Sequence, residues 1–467
     1  MLNSARLLLL LVLSAALTAC ATRYDLAEDY GDRIGQDGSH SSGQTVIFFL
    51  IDGLQAAMLQ REMQAGHLPQ LQAYFLPHGG GIGLARTIFP SLTFPAIGSL
   101  LTQRPVDRTG LIGNQIVSDG RIVNFEDPAG HPELNRMIGG MTVFDRLRAR
   151  NLRSVSLDYA FHTGSTAHTD ARDVKAGVAI LNHEYAYVDD KTLDSLDLLL
   201  KKTPTTQWPD FIFVHLVGVD FTSHDAGPDA PEVLDVLAEI DGRLAPIFRR
   251  LDNGERAGHK VITMLSSDHG FDREHTRTVN LEGALQRVAK GVSVLDEGRY
   301  MSLSFPSEWT AVQRADFIMR LSQIPDVDMA AVKNGNRVVI RSQGDSTDLD
   351  YLPEMDCGVN GFGLTVRDTT AGPTLARGAP GQCADRLDAA TNSLYYPYFI
   401  SNLAHYFHAQ SAPDAIVIAK PGVGFNSKYR GQHGGPTQRE LLVPLLLHGA
   451  RVKDGSVPAL SELLDIL

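Results

Sequence analysis

Residues 45–53 read Thr-Val-Ile-Phe-Phe-Leu-Ile-Asp-Gly, an apolar run that stops at Asp52-Gly53. β-Branched and aromatic residues without polar alternation fit a strand buried on both faces, as in a parallel sheet covered by helices. Two later stretches repeat the form. Phe211 to Leu216 leads to Asp220, and Val261 to Leu265 leads through two serines to Asp268-His269-Gly270. Between them, Pro231 to Leu251 carries Val233, Leu237, Ile240, Leu244, Ile247 and Leu251 at helical spacing. Strands alternating with helices predict an α/β fold with a mostly parallel central sheet. Ligands of such sheets gather beyond the carboxyl ends of the strands, and each of these three acids falls there.

Further along, Tyr300 to Phe305 and Asp328 to Val332 read as strands around a helix at Thr310 to Ser322. Asn334-Gly335 signals a hairpin into Arg337 to Arg341. This pattern predicts a small α+β insertion over residues 276–399. Its later part, Gly344 to Asp388, is rich in Gly, Asp and Pro and holds Cys357 and Cys383. We expect a long loop there, either pinned by a disulfide or carrying two free buried thiols. Ala415 to Ala419 and Leu441 to Leu447 read as strands of the main domain, which then comprises residues 45–275 and 400–467.

At the other end, Arg6 precedes an apolar run from Leu7 to Leu17, too short to span a bilayer and ordered like an export signal. Leu17-Thr18-Ala19-Cys20 resembles the lipobox of bacterial lipoproteins, which implies a signal over residues 1–20 and a lipid on Cys20. The competing reading is a buried N-terminal helix. Ala21 after the cysteine implies, by the enterobacterial sorting rule, a lipid anchor in the outer membrane facing the periplasm. Residues 21–44 are then a flexible tether, and the acyl chains engage the membrane.

Composition narrows the function classes. The 467 residues are 43% hydrophobic and 21% charged, enough for a large core in one domain with an insertion, or in two domains. Lys and Arg total 42 against 54 Asp and Glu, a formal charge of −12. Nucleic-acid duplexes are poor partners for such a chain, because backbone affinity needs clustered cations. Three cysteines are too few for a disulfide scaffold.

Candidate metal ligands fall in four segments: Asp52; Asp220 with His224; Asp268 with His269; and His433 in Gly431-Gln432-His433-Gly434-Gly435. Carboxylate and imidazole together suit Zn²⁺, and two groups of three ligands leave coordination positions open for substrate. Thr93 lies in Phe89-Pro90-Ser91-Leu92-Thr93-Phe94-Pro95, ahead of an apolar helical run. With Pro95 as the first helical residue, Thr93 would sit beside free amides that attract phosphate oxygens. Capping of that helix by Thr93 or Ser91 is the competing role.

In this combination the residues resemble the alkaline phosphatase superfamily, and within it the nucleotide pyrophosphatase/phosphodiesterase branch. The resemblance covers Thr45 to Asn114, Phe211 to Gly270 and Gly431 to Gly449. Its motifs are Asp52-Gly53 after an apolar strand, Thr93-Phe94-Pro95, Gly110-Leu111-Ile112-Gly113-Asn114, Asp220 and His224 ahead of Gly227-Pro228, Ser267 to Gly270, and His433-Gly434. The resemblance implies an alkaline-phosphatase-like three-layer sandwich with the insertion outside it. It also implies two Zn²⁺ or other divalent ions ~4 Å apart, one on Asp220, His224 and His433 and one on Asp52, Asp268 and His269. Thr93 would be the nucleophile, with the Asn114 amide and the Phe94 N–H on a non-bridging oxygen.

Tyr159 and His162 follow a strand at Ser154 to Leu157 and open on the same edge, as leaving-group contacts or as parts of an ordinary surface loop. The expected substrate is a small phosphorylated molecule, and a diester is favoured because no basic residue near Thr93 is assigned to a monoester's second charge. Ala96-Ile97, Thr109 and Gly435-Pro436 depart from the branch's usual Asn-His, His and Tyr-Asp and leave nucleotide specificity open. A phosphomonoesterase, a phosphonate hydrolase and an inactive envelope binding protein are the alternatives.

Overall fold

The computed structural model describes residues 25–34, 38–77, 82–169, 179, 182–275, 277–342, 346–352, 357, 363–368, 382–383, 396–425, 429–451 and 457–465. Gln44–Ile51 is the middle strand of a seven-stranded sheet. From edge to edge the order is Gly83–Arg86, Leu442–His448, Lys260–Ser266, Gln44–Ile51, Phe211–Leu216, Ser154–Leu157, Ala167–His168. Pairings from Lys260–Ser266 to Ala167–His168 are parallel, and Leu442–His448 runs antiparallel to both its neighbours. The sheet is thus mostly parallel, in an α/β fold.

Alternation along the middle strand feeds two cores. Val46, Phe48 and Leu50 point into one and Ile47, Phe49 and Ile51 into the other, all fully buried. The apolar stripe of Pro231–Arg256 covers the second face together with Tyr185–Lys202, Pro69–Phe75 and Leu26–Ile34. Thr93–Thr102, His131–Ile138 and Val143–Ala149 cover the first. Helices on both faces of the sheet make three layers.

The insertion is larger and less separate than its sequence predicts. Eight strands form an antiparallel sheet in the order Ser293–Asp296, Tyr300–Ser304, Ala415–Ala419, Val327–Asn334, Arg337–Ser342, Ser346–Leu352, Gly363–Asp368, Gln382–Cys383. Ala415–Ala419 therefore lies inside the second sheet, not in the main domain. A five-residue apolar run buries equally well in either sheet, so its composition carries no assignment. Parts of Gly344 to Asp388 are paired strands, not loop; their Asp and Thr content masks pairing that neighbouring strands supply. Cys357 and Cys383 are joined by a disulfide. One face of this sheet, with Tyr300, Ala331, Ile416 and Ile418, packs into the core beneath Thr93–Thr102. The other, with Met301, Leu303, Val332 and Val417, packs under Leu281–Val288 and Ala311–Ser322.

The expected tether is also corrected. Leu26–Ile34 is a helix whose Leu26, Ala27 and Tyr30 share a buried face, and the Tyr30 hydroxyl donates to the Gln207 carbonyl at 2.7 Å. The Ser42 amide donates to Asp210 Oδ1 at 2.6 Å. Apolar spacing within a polar composition explains why the segment folds. The signal segment and Cys20 lie outside the described residues. Among the described residues, no helix is long and apolar enough to cross a membrane.

Between the two sheets, the buried Asp107 carboxylate accepts from His405 Nδ1 (2.8 Å) and His408 Nδ1 (3.2 Å). Burial pushes this acid up, but the two histidines outweigh it and bring it down to about 2. The interaction stabilises the fold above the unfolded-state value and is lost as pH falls from ~4 through about 2. Asp107→Asn should therefore flatten the unfolding free energy against pH across that window. Tyr30→Ala should cost ~3 kcal/mol in denaturant unfolding; an unchanged midpoint would restore the tether.

Candidate active site

The carboxyl edge of the main sheet assembles the site. Asp52 follows the middle strand, and its amide donates to the Leu216 carbonyl at 2.9 Å. Gly53 turns the chain at φ 70°, where a Cβ would lie 2.6 Å from Phe271 Cε2 and 3.0 Å from Asp220 Cα. Only glycine lets the two acidic segments pack this closely. Asp220 and His224, one turn apart, share a face of Gly218–Ala226. Asp189 anchors the start of that helix by accepting from the Val217 and Gly218 amides at 2.7 and 3.0 Å. Asp268 and His269 follow Lys260–Ser266 and are fully buried.

His433 comes from a loop that the second sheet helps to hold. Ser91 Oγ donates to the Gly435 carbonyl (2.7 Å) and accepts from the Gly434 amide (3.2 Å). Glu440 accepts from the Gly435 amide at 2.8 Å. Arg299, buried between Asp272 (3.4 Å) and Glu440 (3.5 Å), also donates to the carbonyls of Ala419, Lys420 and Val423.

The six candidate ligands converge as two groups, Asp220 with His224 and His433, and Asp52 with Asp268 and His269. Each imidazole directs Nδ1 at a main-chain carbonyl: His224 at Gly431 (2.9 Å), His433 at Ser91 (3.0 Å) and His269 at Gly270 (3.2 Å). Carbonyls only accept, so Nδ1 carries the proton and Nε2 is left as a lone-pair donor on all three. His224 Nε2 and His433 Nε2 face each other at 3.1 Å, with Asp220 oxygens 3.5 Å from each. His269 Nε2 lies 3.4 Å from Asp52 Oδ1, 3.3 Å from Asp268 Oδ2 and 3.3 Å from Thr93 Oγ1. The rings of His269 and His433 stack at 3.6 Å, which sets the two groups side by side.

Asp52 Oδ1, Asp220 Oδ1 and Asp268 Oδ2 are buried without a hydrogen-bond partner among the described residues. Burial, then the charges of Asp268 and Asp220, push Asp52 well above the ordinary carboxylate range. Burial, the largest effect, and the Asp268 charge push Asp220 up to about 7 against the pull of His269. Burial and the neighbouring imidazoles hold His433 well below its usual value. Orphaned carboxylate oxygens facing imidazole Nε2 atoms are a donor set that fits a divalent cation at each group.

Thr93 is the first residue of the Thr93–Thr102 helix and Pro95 the third, not the first; Leu92 precedes the helix and no side chain caps it. Ser91 is engaged by the His433 loop instead. First-turn amides have no intrahelical partner, so a proline at the third position removes nothing the helix uses. The Phe94 amide, expected to face phosphate independently, donates to Asn114 Oδ1 at 3.2 Å and orients that side chain, whose Nδ2 donates to Glu126 at 3.1 Å. Tyr159 sets its ring 5.3 Å from that of His131, whereas His162 stacks on His168 at 3.9 Å. Arg86 covers the Tyr398 ring, and Arg108 faces Asp107. Arg104 follows the far end of the Thr93 helix, ~15 Å along its axis.

Sequence reasoning missed His215, Asp158 and Glu126. His215 bridges Asp52 Oδ2 (Nε2, 2.9 Å) and Asp158 Oδ2 (Nδ1, 2.5 Å), with all three buried. Burial opposes its charge, but the two acids outweigh that and raise its pKa well above the usual range. Asp158 Oδ1 in turn accepts from the Ala160 and Phe161 amides at 2.6 Å, tying the Tyr159 loop to Asp52. A polar residue inside the otherwise apolar Phe211–Leu216 strand was the available signal.

A mostly parallel α/β sheet with two carboxylate–imidazole groups and a helix-terminal hydroxyl at its carboxyl edge defines an alkaline-phosphatase-like protein. The chain belongs to the type I phosphodiesterase / nucleotide pyrophosphatase family, whose sequence model matches residues 46–441. It is 25% identical over 256 residues to an uncharacterized pyrophosphatase/phosphodiesterase of Schizosaccharomyces pombe, covering 50% of this chain and 46% of that protein. It is 38% identical over 61 residues to the alkaline phosphatase PafA of Elizabethkingia meningoseptica, covering 13% of this chain and 11% of that one. A third relative, the catalytic subunit of GPI ethanolamine phosphate transferase 3 of Mus musculus, is 26% identical over 49% of this chain and 20% of its own length. The chain thus spans less than half the length of each curated relative. Phosphonoacetate hydrolase of Sinorhizobium meliloti, solved with phosphonoacetate, shares the fold with a TM-score of 0.57 at 15% identity, over 91% of this chain and 94% of that one.

Removing His215 leaves two buried carboxylates without their partner. His215→Ala should destabilise the protein by ~3 kcal/mol in denaturant unfolding and weaken binding of a titrated divalent cation ~10-fold or more. Wild-type values for both would show that the bridge does not hold Asp52.

Proposed function

We propose that the chain hydrolyses phosphate diesters at this centre, with Thr93 as nucleophile and Zn²⁺ or another divalent ion at each ligand group. The observation that carries the reading is the convergence of Thr93 Oγ1, Asp52 and Asp268 on His269 Nε2, beside a second group of matching chemistry. Bound there, the ions would supply Lewis acidity, easing ionisation of the threonine hydroxyl and neutralising charge on the ester oxygens.

Thr93 Oγ1 attacks phosphorus in line, the bond to the leaving oxygen breaks, and a phosphothreonine forms; water then displaces Thr93 and returns its hydroxyl. Asn114 Nδ2 donates to a non-bridging oxygen, and the helix terminus adds its favourable dipole. His215 keeps Asp52 in place. Arg86, Arg104 and Arg108, which flank Thr93 in the chain, are engaged or distant, which favours a monoanionic diester over a monoester dianion. The likeness of fold to phosphonoacetate hydrolase makes phosphonates the second class to assay. An inactive binding protein would have no use for six converging ligands and a nucleophile. We also propose that Cys20 carries the lipid anchor, so that Cys20→Ala releases the protein from the envelope membrane fraction.

The chain from Ala21 onward should hydrolyse bis(4-nitrophenyl) phosphate faster than 4-nitrophenyl phosphate, lose activity to a chelator and regain it with zinc. Thr93→Ala should reduce turnover by about three orders of magnitude or more while keeping its metal. His433→Ala should lower metal content. Wild-type turnover in the Thr93 variant sinks the scheme.

A further inference from the structure

We propose that Glu126 selects substrate charge, favouring diesters whose non-reacting arm carries a primary ammonium and disfavouring phosphate dianions. The inference rests on the reading of Thr93 and Asn114 as the phosphate site.

Glu126 is exposed, yet its position is built. The neighbouring Phe125 amide donates to the Asn114 carbonyl at 2.9 Å, and the Phe125 ring packs on Phe94 at 5.6 Å. The Glu126 amide is held by Asn124 Oδ1 at 3.0 Å, and its own Oε1 accepts from Asn114 Nδ2 at 3.1 Å. Two hydrogen bonds thus connect this carboxylate to the Phe94 amide, one residue from Thr93. A phosphate held by Asn114 Nδ2 must lie within a few ångströms of a negative charge. That geometry penalises a second phosphate charge and rewards a nearby positive one.

The rest of the rim has the same character. The His131 side chain, in a residue only 8% exposed, sets its ring 5.3 Å from that of Tyr159 and leaves Nε2 without a partner among the described residues. Burial holds this imidazole below its usual value. A neutral imidazole protonated on Nδ1 presents Nε2 as an acceptor. Glu126 asks for an N–H donor, His131 in that form asks for another, and Tyr159 adds an aromatic face that attracts cations. Arg136, the nearest basic residue after Glu126 in the chain, is engaged by Glu133 at 2.8 Å.

The test compares kcat/KM of the zinc-loaded protein on 2-aminoethyl, propyl and unsubstituted 4-nitrophenyl phosphates. The wild type should prefer the aminoethyl diester to the propyl diester by about tenfold, the scale of one charge at short range in a solvated site. Glu126→Gln keeps an acceptor for Asn114 and removes the charge. It should erase that preference and raise the monoester-to-propyl-diester ratio by about tenfold. Wild-type turnover of both diesters at equal efficiency overturns the proposal and leaves the phosphodiesterase reading intact. Equal loss on all three substrates in Glu126→Gln, with zinc content and melting temperature retained, overturns it too, because Glu126 would then only orient Asn114. Absence of Thr93-dependent turnover of the propyl diester in the wild type overturns the underlying reading, and the proposal with it.

Discussion

Three carboxylates buried at one edge of a sheet repel one another, and much of the architecture answers that repulsion. Asp52, Asp220 and Asp268 each keep an oxygen with no hydrogen-bond partner among the described residues, and the imidazoles that face them turn Nδ1 to main-chain carbonyls and Nε2 toward the acids. Left alone, such a cluster favours protonated acids, as the upward shifts of Asp52 and Asp220 express. A divalent cation held there would reverse the preference. The rest of the fold keeps the six side chains from relaxing apart.

Rigidity reaches the cluster from several directions. Parallel pairing brings Asp52 and the start of the Asp220 helix to the same edge, and Gly53 permits their close approach. His215 and Asp158 restrain Asp52 from behind, while Asp189 anchors the helix that carries Asp220 and His224. The second sheet supplies the remaining support. Arg299 braces the His433 loop through Glu440, Glu297 accepts from the Gln115 amide at 2.9 Å, and the Tyr300 hydroxyl donates to the Ile112 carbonyl at 2.9 Å. Residues 297–300 thus touch both the His433 loop and the Asn114 loop, so this sheet is part of the scaffold of the candidate site.

Buried apolar strands, one helical stripe and the four ligand-bearing segments were legible because each is a local pattern with a local cause. An unalternated run such as Thr45 to Ile51 is stable only when covered on both faces, and the Val233 to Leu251 stripe needs a core to face. Ala415–Ala419 was assigned to the wrong sheet because burial is the same in both. Ser346–Leu352 was missed because its pairing comes from neighbours, not composition. Leu26–Ile34 is hard to recognise as a helix from sequence because Asp, Glu and Gly surround the three residues that form its buried face.

The sequence by itself determined the chemistry available: three acids that follow apolar strands, three histidines close to them or in a glycine-rich segment, and a threonine at the start of an apolar helical run. Those facts follow from residue type and nearest neighbours. Only the tertiary structure decided that the two groups of three side chains come together as the resemblance implies, that His224, His269 and His433 each turn Nδ1 to a main-chain carbonyl, and that the Phe94 amide engages Asn114. It also decided that His215 holds Asp52 and that Glu126 stands beside Asn114. Apart from the contact of His269 with the adjacent Gly270 carbonyl, these depend on residues from 12 to 342 positions apart, whose geometry arises only when sheet, helices and second sheet close on a common core.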